Sequence, residues 1–205
     1  MIYTSLLKRD ASRTKAVTTS GFTLIELIVV VGILVVISSI ILANYSKFGG
    51  QILLRNLAYD VALSIREAQV YGISARSFLG AQFASGHGVY FSFNEGNNVF
   101  FLYTDVDNNA FFTSAATEWV ETYSLGRGYT IDRMCVLVGG VEDCSVVELD
   151  MLFKRPEPDA IIRASFGSSF APYSRARIVL TSPREYKLSV LVESTGQISV
   201  QRYDE

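Results

Sequence analysis

The chain has 205 residues, 18 basic and 20 acidic side chains and a formal net charge of −2, so it carries no basic footprint for nucleic acid. One histidine and two cysteines argue against a zinc centre, and no nucleophile elbow, phosphate-cradling glycine loop or dinucleotide fingerprint occurs. The length accommodates one ordinary domain beside a membrane segment, and nothing in the composition points to an enzyme.

Residues 1–21 are polar and basic, with Lys8, Arg9, Arg13 and Lys15 against Asp10. That stretch carries +3, and taking it from −2 leaves −5 on residues 22–205, side chains alone counted. It lacks an apolar region of its own, so it is not an ordinary secretory signal, whose cleavage site follows its apolar core. From Phe22 to Ala43 the chain is apolar with a single charge, Glu26. As a helix this run is about 33 Å long, enough to cross a hydrocarbon core of about 30 Å. The positive charge just before it predicts a cytoplasmic N-terminus and a globular part outside the inner membrane. A carboxylate inside a spanning helix costs about 2.5–3.5 kcal/mol on insertion scales, which makes Glu26 a functional candidate.

The order Gly21-Phe22-Thr23-Leu24-Ile25-Glu26-Leu27 closely resembles the processing motif of bacterial type IV prepilins and type II secretion pseudopilins. The resemblance implies cleavage after Gly21 by a membrane prepilin peptidase, N-methylation of the new N-terminal Phe22, and a role for Glu26 in assembly. It implies as partners other pilin or pseudopilin subunits, the prepilin peptidase/methyltransferase and an inner-membrane assembly platform. The location implied is the bacterial inner membrane, single-pass, and then a pilus or pseudopilus. Two alternatives stand beside a structural subunit: a DNA-capturing minor pilin, and a membrane-anchored envelope protein that does not assemble.

The helix is expected to continue over residues 44–76. Leu54, Leu57, Val61, Ile65 and Ala68 follow an i, i+3, i+4 rhythm and predict one buried face. Arg55, Asn56, Asp60, Ser64, Arg66, Glu67 and Gln69 fall on the remainder. Gly49-Gly50 weakens the helix between its halves, at about 1 kcal/mol per glycine relative to alanine.

Residues 77–205 read as a β-rich domain, with a period of two from Phe78 onward. Gly88–Phe93 and Val99–Tyr103 predict a hairpin; Trp119–Leu125, Tyr129–Val138, Val147–Phe153, Ala160–Phe166, Arg175–Thr181, Lys187–Val192 and Gln197–Tyr203 predict further strands. In the Val147–Phe153 strand the alternation places Glu148 and Asp150 facing out. The expected fold class is α+β: a long N-terminal helix, half membrane-spanning and half amphipathic, packed on a C-terminal antiparallel β-sheet domain of the type IV pilin kind. Ser64-Ile65-Arg66-Glu67-Ala68-Gln69, Gly88-Val89-Tyr90 and Thr195-Gly196 resemble the minor pseudopilin H and related minor type IV pilins, which implies a minor subunit. The sequence departs from that branch at Gln197, where a basic residue is usual.

Cys135 and Cys144 flank Val138-Gly139-Gly140-Val141, a turn between short strands. Outside the inner membrane a disulfide is the favoured reading, and two reduced thiols are the alternative. Asp105, Asp107 and Asn109 have the alternate spacing of a calcium loop. Ala110 stands where such a loop has glycine, and Ala116 where it has its bidentate glutamate, so the stretch reads as a solvated hairpin turn. A looser calcium site closed by Glu118 or Glu121 is the alternative; no other cofactor is expected. His87, between two glycines, reads as a solvated or edge histidine. Phe100, Phe101, Tyr103, Phe111, Phe112 and Trp119 read as sheet core. Arg163, Arg175, Arg177, Arg184 and Lys187, followed by acidic residues, read as a solvated face more than a DNA contact.

Overall fold

A computed structural model describes residues 21–74, 86–113 and 116–203, with the side chains of 43–48 left aside. The leader, residues 1–20, and the onset of the β pattern at Phe78 lie outside the described residues.

Helix α1 runs Leu24–Ile73 and keeps its helical assignment through Gly49-Gly50. The chain divides into two compact units, Met1–Tyr45 and Ser46–Glu205, so α1 contributes to both. In the first unit every residue from Gly21 to Leu42 is exposed. Leu24–Leu42 is a 19-residue stretch long and apolar enough to cross a membrane by length and composition.

Among the described residues the second unit contains eleven strands: β1 Gly86–Ser92, β2 Val99–Asp105, β3 Trp119–Ser124, β4 Thr130–Val138, β5 Val141–Val146, β6 Glu148–Phe153, β7 Ala160–Ser165, β8 Phe170–Tyr173, β9 Arg175–Thr181, β10 Lys187–Glu193 and β11 Ile198–Arg202. They form a six-stranded sheet in the order β3-β2-β1-β6-β7-β8 and a five-stranded sheet in the order β11-β10-β9-β4-β5. All pairings are antiparallel.

The expected α+β arrangement, a long helix packed on one β-sheet domain, is thereby corrected. The described chain is mostly β, built as two antiparallel sheets with eleven strands between them. Two physical reasons apply. Open twisted sheets rarely exceed about ten strands before splitting into packed layers. In addition, β1 is buried along its whole length and β6 over all but its first residue. Strands buried on both faces need a cover on each side, and one helix covers one face.

One face of β1, β2, β6 and β7 meets β4, β9, β10 and the second half of α1 in a single core. From α1 that core takes Leu54, Ala58, Val61, Ile65 and Ala68. The opposite face carries a smaller cluster of Tyr90, Tyr103 and Leu152, with Phe101, Ala110, Phe112 and Phe170 packed on it. The loop after β2 thus folds back over the sheet as its second cover. Close approach fixes some backbone positions: a Cβ on Gly88 would stand 2.5 Å from Tyr103 Cε1. Strand β8 has no counterpart in the sequence expectation, because it is four residues long, interrupted by Pro172, and lies at a sheet edge.

Candidate functional site

The N-terminal motif sits at the start of α1. Gly21 and Phe22 are exposed and precede the helix, and Glu26 lies exposed in its first turn. The Thr23 hydroxyl accepts a hydrogen bond from the Glu26 amide at 3.3 Å. Thr23 is therefore the N-cap and Glu26 the third helical residue, the Thr-x-x-Glu order of a capping box. This local role for Thr23 and Glu26 was written in their spacing and is absent from the sequence expectation. An acidic side chain in the first turn is also favoured by the helix dipole.

Cys135 and Cys144 form a disulfide with Cα atoms 3.9 Å apart. The bridge crosses the β4–β5 hairpin where the register shifts between Met134 and Val136.

The calcium-like stretch follows β2. Asp105 is fully buried, and its Oδ2 accepts from the Ala110 amide at 3.2 Å. Its Oδ1 is buried without a hydrogen-bond partner. Burial pushes the Asp105 carboxyl up, the neighbouring Asp107 adds to this, and Ala110 and Lys154 oppose it. The structure brings Asp105, Asp107 and Glu118 together, with one carboxylate oxygen from each within 4.8 Å of the others. Glu118 is 1% exposed and accepts from the Thr113 amide at 2.7 Å. Glu121 instead accepts from the Tyr123 hydroxyl. Asn109 braces the loop: its amide nitrogen donates to Asp107 Oδ2 at 2.8 Å and to the Thr113 hydroxyl, and its Oδ1 accepts from the Phe111 amide.

Beside this cluster lies a buried polar group the alternation rule misplaced. Asp150 was expected to face solvent, yet it is 1% exposed. It accepts from the Tyr103 hydroxyl at 2.5 Å and from the Phe112 amide at 2.7 Å. Burial pushes its carboxyl up to about 7, against the hydrogen bonds and Arg163, which lower it. The loop that covers this face of the sheet turned an outward position into an interior one. His87 is likewise corrected, being 2% exposed with its ring edge-on to Tyr71 at 5.8 Å between centroids.

The aromatic set divides. Phe100 and Tyr103 are buried, Phe112 stacks on Tyr90 at 4.9 Å, Phe111 stacks on Phe170 at 5.9 Å, and Trp119 is exposed. Among the basic residues, Arg175 pairs with Glu193 at 2.8 Å, Arg177 with Glu142 at 2.8 Å and Lys187 with Asp132 at 3.3 Å. Arg163 donates to the Asn109 carbonyl. These cations are engaged within the fold rather than arrayed for a phosphate backbone.

No family model matches the chain, and neither a curated protein nor a solved structure matches it.

Proposed function

We propose that the chain is a structural subunit, of the minor kind, of a type IV pilus or type II secretion pseudopilus, matured by cleavage after Gly21. The observation that carries this reading is the order Gly21-Phe22-Thr23-Leu24-Ile25-Glu26 directly ahead of an exposed apolar helical stretch, Leu24–Leu42. Cleavage there creates an α-amine at Phe22, four residues before Glu26. Within packed helices of a filament, that amine and a neighbour's carboxylate attract far more strongly than in water and offset each other's desolvation. One such pair fixes an axial register that apolar packing alone leaves loose. The pairing of Arg175, Arg177 and Lys187 with carboxylates favours this reading over capture of DNA.

The test is expression beside an active prepilin peptidase, with intact-mass measurement and blotting of sheared filament and membrane fractions. Wild type is expected to begin at N-methyl Phe22, and Gly21→Val to keep its leader. Glu26→Ala is expected to be cleaved and to fold but to stay in the membrane fraction. A wild-type chain that keeps its leader overturns the reading. Entry of Glu26→Ala into filaments at the wild-type level overturns the pairing.

A further inference from the structure

The acidic cluster between β2 and β3 has no part in that role. Asp105 Oδ1 is a fully buried carboxylate oxygen with no donor, and such orphaned atoms are uncommon in folded chains unless a water or ion meets them. One carboxylate oxygen from each of Asp105, Asp107 and Glu118 lies within 4.8 Å of the others. Like charges held this close repel one another, and a cation among them relieves that repulsion. A single cation bound at about 2.4 Å, within the range calcium takes with carboxylate oxygens, reaches all three. The nearby cations bond to neutral oxygens: Lys154 to Asn108 Oδ1 at 2.7 Å and Arg163 to the Asn109 carbonyl at 3.3 Å. The backbone also makes the turn that a calcium loop assigns to glycine, since Ala110 adopts a φ of 66° and Asn108 one of 59°.

We propose that Asp105, Asp107 and Glu118 bind a calcium ion, which fastens the β2–β3 loop over the Tyr90, Tyr103 and Leu152 cluster. Glu118 supplies the carboxylate from outside the Asp105–Asn109 spacing, which is why the twelfth position of the loop, Ala116, is dispensable. The ion neutralises the buried charge and meets the orphaned oxygen. Bound calcium would hold Phe112 on Tyr90 and its amide on Asp150 more firmly than the loop does without the ion. This site is independent of whether the chain assembles.

The experiment uses the full chain in detergent, stripped with a chelator and titrated with calcium chloride, magnesium chloride or terbium chloride alone. Trp119 follows Glu118 directly and serves as the antenna for sensitised terbium emission. Calcium is expected to raise Tm and to displace terbium. Asp107→Asn, which keeps an acceptor for the Asn109 amide, is expected to weaken calcium binding by at least about tenfold. Glu118→Gln is expected to do the same, and if it fails to fold, the exposed Asp107 position carries the test. Absence of both a calcium-dependent Tm shift and terbium emission overturns the proposal. So does wild-type affinity in Asp107→Asn. An equal Tm shift with magnesium overturns the assignment to calcium.

Discussion

The side-chain amide of Gln69, near the end of α1, donates to the carbonyl of Gly196 at 3.0 Å across 127 residues of sequence. The same nitrogen donates to the Pro158 carbonyl at 2.7 Å, so one helix residue joins the β6–β7 loop to the last hairpin. Gly196 has a φ of +80°, and a Cβ there would stand 2.1 Å from the Pro158 oxygen and 2.6 Å from Gln69 Nε2. Gly196→Ala is therefore expected to destabilise the chain by at least about 2 kcal/mol, from left-handed strain and a backbone clash together. Gln69→Ala, which leaves the buried Gly196 carbonyl without its donor, is expected to cost about 1–3 kcal/mol. Urea unfolding of the full chain in detergent measures both; a Gly196→Ala midpoint equal to wild type would refute the geometry.

A pH dependence follows from Asp150. Its carboxyl titrates near 7 in the folded chain and near 3.8 when unfolded. Between those values the folded chain keeps a proton that the unfolded chain has released. The contribution is complete below about pH 4 and is lost as pH rises towards 7, with a slope of at most about 1.4 kcal/mol per pH unit. Burial moves Asp105 in the same direction, so some slope remains without Asp150. Asp150→Asn should flatten the fall in stability over this window, measured by urea unfolding in the presence of a chelator. Parallel pH profiles for wild type and variant would show that Asp150 does not titrate there.

Reduction tests the β4–β5 staple. Cys135 and Cys144 are nine residues apart, and closing so short a loop contributes about 2–3 kcal/mol on chain-entropy arguments. The double variant Cys135→Ala, Cys144→Ala should unfold at lower urea by that amount. Added reductant should move the wild type to the same midpoint and leave the variant where it is. A wild type insensitive to reductant, or a variant as stable as wild type, would contradict the bridge.

Thr23 offers a way to separate capping from the proposed assembly at the N-terminus. Its hydroxyl accepts from the Glu26 amide, and N-cap loss costs about 1 kcal/mol. Thr23→Val should speed amide exchange at Glu26 in detergent, while Thr23→Ser should not. Both variants keep the Glu26 carboxylate and are expected to reach filaments. Exclusion of Thr23→Val alone would mean that the cap, rather than the charge, is what assembly needs.

Much of this protein is local and was legible in the chain. The apolar run after Gly21, the helix to Ile73, and most strands follow from periodicity, because a 3.6-residue or two-residue repeat is a property of neighbouring residues. The proximity of Cys135 and Cys144 follows in the same way from a glycine turn between them. Tertiary structure decided the rest. Alternation along β6 gives Asp150 a side of the sheet but cannot say that a loop from β2 will cover that side. Ser64 and Gln69 lie on the polar part of the helix pattern and are buried all the same, Gln69 with its amide on the Pro158 and Gly196 carbonyls. The division of the strands into two sheets, and the meeting of Asp105 with Glu118, depend on which surfaces close over which. Those choices are made by burying both faces of β1 and β6 at once, a condition that no single stretch of sequence contains.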